Sequence, residues 1–162
     1  MQKSHVIAEV LDQSRKFNLY YISKLDPARV RERYAFEGDM KNSAHWIVGH
    51  LGWAELGLAV DACGGPDLDI PWVNEFRKGN GGGNDFVGPE FGELVQDLGR
   101  IHAHVLEYIR SLSDEDLEIP AYVAPAKWET VRRKALYHIV RHESFHTGQL
   151  AWIAKVHGSK LP

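Results

Sequence analysis

His142 and His146 stand four residues apart in "RHESFHTGQLAW", with Glu143 between them. On a helix that spacing leaves two side chains about 40° apart around the axis and pointing the same way. Two imidazoles so placed can both reach one metal ion. Glu143 falls about 100° round from His142, within reach of a metal-bound water or a ring N–H. The spelling H-E-x-x-H is that of zinc proteases, where the Glu serves as general base.

The protease reading needs a third ligand downstream, commonly a Glu, or a His six residues after the second. Trp152 holds that position, and His157 lies eleven residues on. No strand is predicted on which a peptide would dock, so peptidase activity is not expected. A di-iron carboxylate bundle fares no better. Glu143 and His146 make one Glu-x-x-His pair, but that site needs a second pair and two further carboxylates. No other such pair exists in the sequence.

A third ligand must then come from another element, and His50 is the best choice. It lies between Trp46 and Ala54 on an apolar helical stripe. Three imidazoles would leave open coordination positions for water or substrate. His45, about 100° off that stripe, His102 and His138 are the competitors. His102 could equally be a core histidine or a partner to a ligand, and His138 could extend the site by one turn. His5, His104 and His157 are expected at the surface.

The elements that must position these residues are helices. Apolar residues recur at helical period over four long segments. The first spans about residues 4–25, with Ile7, Val10, Leu11, Phe17 and Tyr21 on one face. The second starts at Asn42 or Ser43, both good N-caps, and ends at "CGGP". The third opens at Pro89, a suitable first helical residue, and closes at "SLSDEDL", which adds a short turn. The fourth runs from about Thr130 to His157, with Gly158 as its stop. "EIPAYVAPAKW" is read as loop because Pro120 and Pro125 interrupt it. Four helices of this length predict an all-α four-helix bundle, one domain over residues 1–162. The connection between helices two and three is long, and its "GNGGGN" is flexible by composition. Trp72, Val73 and Phe76 give it apolar anchors, which suggests a lid or a dimer contact, or else a tolerated surface insertion.

Composition narrows the rest. The net charge is −3 over 162 residues, so there is no basic footprint for nucleic acid and no polybasic patch for anionic lipid. The longest apolar stretch, "WIVGHLGWAELGLAV", is interrupted by His50 and Glu55 and is too short to span a bilayer. "MQKSHVIAEVLDQ" lacks the apolar core of a secretory leader. Cys63 is the single cysteine. No internal disulfide can form, which fits a reducing cytoplasm. Near the end of helix two, Cys63 is a poor nucleophile candidate.

"NSAHWIVGHLGWAE" followed far downstream by "HIVRHESFHTGQLAWIAKVHG" resembles the DinB-like superfamily, whose members are metal-binding four-helix bundles. "HESFHTGQ" is similar to the family's H-x-x-x-H-x-G-Q signature, and the layout matches along the whole chain. The resemblance implies a divalent ion held by His50, His142 and His146. It implies that Gly148 allows close helix packing and that Gln149 lies near the site. It also implies chemistry. Some relatives are S-transferases that use low-molecular-weight thiols such as bacillithiol, mycothiol or glutathione. One branch is a mycothiol-dependent maleylpyruvate isomerase, and others are described as metal-dependent hydrolases.

The leading expectation is a metal-dependent thiol S-transferase acting on a small molecule. Zinc or nickel suits three imidazoles, with iron, manganese or copper as alternatives. Glu143 or Gln149 would orient the bound thiol or water. Trp46, Trp72 and Phe76 are expected to line or cover the site. Hydrolysis with Glu143 as base, and a non-catalytic module tied together by its ion, are the rivals. Exposed aromatics such as Trp53 or Trp152 suggest a homodimer.

Overall fold

Several helix ends have a local chemical cause. The structure is a computed structural model describing residues 2–80 and 87–161. Helix α1 spans Lys3–Ile22. Helix α2 spans Ala44–Gly57, and the Ser43 hydroxyl caps it by accepting from the Trp46 N–H at 3.2 Å. Helix α3 spans Phe91–Ser111. Helix α4 spans Arg132–Val156 and stops at Gly158, whose φ of +90° suits glycine. There the Ser159 N–H returns to the Ala154 carbonyl at 3.0 Å, the closing bond of a Schellman cap.

α1 and α2 each pack against both α3 and α4. The two helices that carry His50 and the His142–His146 pair, α2 and α4, are therefore neighbours. The core is apolar, with Leu11, Val48, Leu51, Leu98, Ile101, Ile109, Leu136 and Leu150 all sealed from solvent. Among the described residues no helix is long and apolar enough to cross a membrane.

Three local features depart from expectation. α3 starts two residues after Pro89. The Pro89 carbonyl faces out of the helix instead, accepting from His45 Nε2 at 2.7 Å and from Arg31 at 3.1 Å. A two-residue hairpin precedes α2, pairing β1 (Ala35–Phe36) with β2 (Asp39–Met40). Its turn residues Glu37 and Gly38 both take positive φ, as a tight primed turn requires. Beyond Gly57 the second helix widens into a π-helical turn, Leu58–Ala62, before Cys63 ends it. The short turn expected after α3 is present at Asp116–Glu118.

The buried face of α1 is the largest correction. It carries Ile7, Ala8, Leu11, Arg15, Asn18 and Ile22. Val10 and Phe17, assigned to the core by periodicity, are 47% and 60% exposed. Arg15 and Asn18 lie inside because the other helices supply polar partners for them. Arg15 Nε and Nη2 meet both oxygens of Glu143, at 3.0 and 2.8 Å. Nη2 also reaches Glu55 at 2.5 Å, and Nη1 donates to the Leu98 carbonyl at 3.2 Å. Asn18 donates to Glu143 at 2.6 Å. His102 meets the second oxygen of Glu55 at 2.7 Å. One polar knot thus joins all four helices. Burial opposes the charge on Arg15, but Glu143 and Glu55 hold its pKa above the usual arginine range.

Candidate metal centre

Three imidazoles converge where α2 faces α4. His142 Nε2 lies 3.2 Å from His50 Nε2 and 3.2 Å from His146 Nε2. One nitrogen from each of the three lies within 4.8 Å of the others. Among the described residues this is the group of three or more His, Cys, Asp or Glu that could hold an ion. His45, His102 and His138, the competitors for the third place, have other partners. His45 is on the Pro89 carbonyl, His102 on Glu55 and Asp12, and His138 on Glu129 at 2.8 Å.

Two of the three rings are fixed from behind. His50 Nδ1–H donates to the Phe76 carbonyl at 2.8 Å, and His146 Nδ1–H donates to Gln149 Oε1 at 2.7 Å. Those bonds put the protons on Nδ1 and turn the Nε2 lone pairs inward. His50 is further clamped between two indoles. Trp46 stacks on it with ring centres 4.4 Å apart and Trp53 at 5.2 Å.

Nε2 lone pairs aimed at one point repel unless a cation joins them. The electrostatics say the same. Burial, then the neighbouring rings of His146 and His50, push the His142 pKa down to about 2. Burial is likewise the first cause for His146, which falls to about 4, and for His50, which is lowered. Neutral, inward-facing, oriented imidazoles are the donor set that a borderline divalent ion takes. The residues present fit such an ion.

The open side of the triad faces a cavity of about 520 Å³. Trp46 and Gln149 line it, as do Trp53 and Phe145. The last two were not assigned to the site in the sequence. Each sits three residues after a histidine of the triad, Trp53 after His50 and Phe145 after His142, and that spacing is the signal that could have found them. Asp61 and Lys78 also line the cavity, and no motif in the sequence marks them.

Glu143, Trp72 and Phe76 are placed differently from expectation. The Glu143 carboxylate is turned into the Arg15 and Asn18 knot and is 1% exposed. It faces away from the triad because the buried guanidinium is its stronger partner. Trp72 and Phe76 do not line the cavity. Trp72 Nε1–H donates to Asp97 at 2.8 Å, and the Phe76 ring is sealed against α2. A Cβ at Gly49 would come within 2.3 Å of that ring, so only glycine admits it. Phe76 serves the site through its carbonyl. The glycine-rich part of this connection, 81–86, lies outside the described residues.

Two further expectations are corrected. Gly148 is exposed, and a Cβ there would meet nothing within 4 Å. It is not a packing glycine, because its side of α4 faces away from the other helices. His157 is only partly solvated. It accepts from the Asp26 N–H at 3.0 Å and bonds the Tyr34 hydroxyl at 2.9 Å. Cys63 is buried with its thiol pKa pushed up by burial to about 12, which leaves it unreactive.

A family model, described as DinB superfamily, matches residues 9–150. The chain belongs to the DinB superfamily. Two solved structures resemble this DinB chain over nearly its whole length. A conserved protein from Enterococcus faecalis superposes with a TM-score of 0.73 at 15% identity, covering 99% of each chain. An uncharacterised protein from Escherichia coli UTI89 does so with a TM-score of 0.66 at 18% identity, covering 99% of this chain and 98% of that one. At such identities the likeness is one of fold. No curated protein matches the chain.

Proposed function

We propose that the protein is a metal-dependent enzyme of the low-molecular-weight-thiol S-transferase type, with one zinc or nickel ion on His50, His142 and His146. The observation that carries this reading is the open side of the triad, which faces a cavity rather than a fourth protein ligand. A purely structural ion would be enclosed by four protein donors. When bound, a divalent ion stabilises a thiolate at neutral pH. The chain's own residues do the rest. Phe76 and Gln149 hold the ring tautomers. Trp46 and Trp53 fix the plane of His50 and keep water from its face. Phe145, Leu58 and Val123 offer an apolar wall for an electrophile. The amide of Gln149, at the cavity edge, orients the bound group.

The test is thiol dependence. Protein reconstituted with cobalt should change its visible spectrum when a small thiol is added, and turnover of an alkyl or epoxide electrophile should require that thiol. Turnover of an ester without thiol would instead support hydrolysis. That rival has lost its expected base, since Glu143 is committed to Arg15.

A second copy is the partner we propose for the outer face of α1. Val6, Val10, Phe17 and Tyr20 are exposed there at spacings that form one seam. Pairing two such helices antiparallel about Gln13 sets Val6 of one copy opposite Tyr20 of the other. Trp53 is partly covered by its contact with His50, and Trp152, which stays 42% exposed, meets Tyr34 with ring centres 5.4 Å apart. Sedimentation of the native protein beside Phe17→Lys decides it: a dimer that becomes a monomer is expected.

A further inference from the structure

The cavity above the triad continues along α2 well past His50. Trp53, Gly57 and Asp61 line it in turn, at steps of three, four and four from His50, with Leu58 beside them. The far end is built by the π-helical turn Leu58–Ala62. Such turns are rare and occur often at functional sites. Here the turn carries Asp61 into the cavity wall, eleven residues beyond His50, or about 16 Å along the axis at helical rise.

Charge is divided between the two ends. The triad end holds the imidazoles and Lys78, whose ammonium acts on the rings of both His50 and His138. Asp61 is the one acidic residue among those lining the cavity. Its carboxylate has no hydrogen-bond or ion-pair partner among the described residues. Between the ends lie the faces of Trp53 and Phe145 and the side chains of Leu58, Val123 and Pro125. Aromatic faces attract cations, and an unpaired carboxylate is best satisfied by a charged N–H donor.

We propose that this cavity selects an elongated ligand with an anionic donor group at the triad, an apolar middle and a protonated amine at Asp61. Its first end rests on the metal-centre reading, and its second rests on Asp61 and the π turn alone. A neutral or acidic tail of the same length meets no partner at that end.

Alkyl hydroxamates, which carry a metal-binding head, test both ends separately. They are titrated into metal-loaded protein in pairs of equal length, up to about 16 Å, one tail ending in methyl and the other in a primary amine. At the matching length the amine tail should bind about tenfold tighter, the worth of one charge-assisted hydrogen bond. Asp61→Asn should bring the pair level. Asp69→Asn, an exposed acid outside the cavity, should keep the tenfold gap. Equal binding of the pair to native protein, or a gap that survives Asp61→Asn, overturns the proposal while leaving the metal centre intact. Failure of every hydroxamate to bind, or of the protein to take up an ion, overturns the metal reading and this inference together.

Discussion

The Nε2 atoms of His50 and His142, ninety-two residues apart in the chain, stand 3.2 Å from each other across the α2–α4 contact. Neutral imidazoles at that distance can share one proton, but His146 Nε2 at the same distance from His142 adds a third lone pair that a single proton cannot satisfy. An ion relieves all three at once.

Metal content follows directly. Native protein purified without a histidine tag should carry about one divalent ion per chain by elemental analysis. His50→Ala, His142→Ala and His146→Ala should each lose it. An ion retained in the His50 variant would remove α2 from the ligand set.

The metal-free protein should lose stability as pH falls. In the folded state His146 is held near 4 and His142 near 2, chiefly by burial, against about 6.5 in an unfolded chain. Between those values the unfolded chain binds protons that the folded one refuses, so acid favours unfolding. Stability is complete above the unfolded value and declines below it. His146 alone should contribute a loss of about 3 kcal/mol by pH 4. Urea midpoints from pH 8 to pH 4 measure it, and a flat profile would falsify the buried, neutral state of the triad. Added metal should lower the pH at which the decline begins.

Removing Arg15 should be costly. Arg15→Met leaves Glu55 and Glu143 buried without their cation, and breaking such a group typically costs about 3–5 kcal/mol. Because Glu143 lies between two ligands, metal affinity should fall as well. A change in unfolding free energy below about 1 kcal/mol would show that water replaces the guanidinium.

Gly148→Ala should behave in the opposite way. The position is mid-helix, exposed and open, so alanine should stabilise α4 by up to about 1 kcal/mol. A lower thermal midpoint would restore a packing role for this glycine.

The bundle and the His142–His146 pair are legible in the sequence because both rest on period, while His50 is marked only by its place on an apolar stripe and by the family resemblance. Apolar residues repeat at helical spacing, and two histidines four apart can point only one way. Other features have no such signal. α1 hides Arg15 and Asn18 in its core face, and their partners lie on α2, α3 and α4. A pattern search that expects apolar residues inside rotates the helix toward Val10 and Phe17. Glu143 reads as a catalytic base because its helix position allows it to face the ion. The pull of a guanidinium 128 residues away in the chain decides otherwise. The cavity's far end escapes because a π turn is one extra residue in a bond ladder, with no composition of its own.

The Phe76 contact ties two parts of the molecule into one equilibrium. Its ring fills the notch over Gly49 while its carbonyl holds the Nδ1 proton of His50. The ring cannot leave that notch and the carbonyl stay. Whatever frees the connection at residue 76 therefore also frees His50 to turn its lone pair away from the other two histidines. Any hold on an ion at the three histidines and the docking of residue 76 should therefore be gained and lost together, with this contact as a latch on His50.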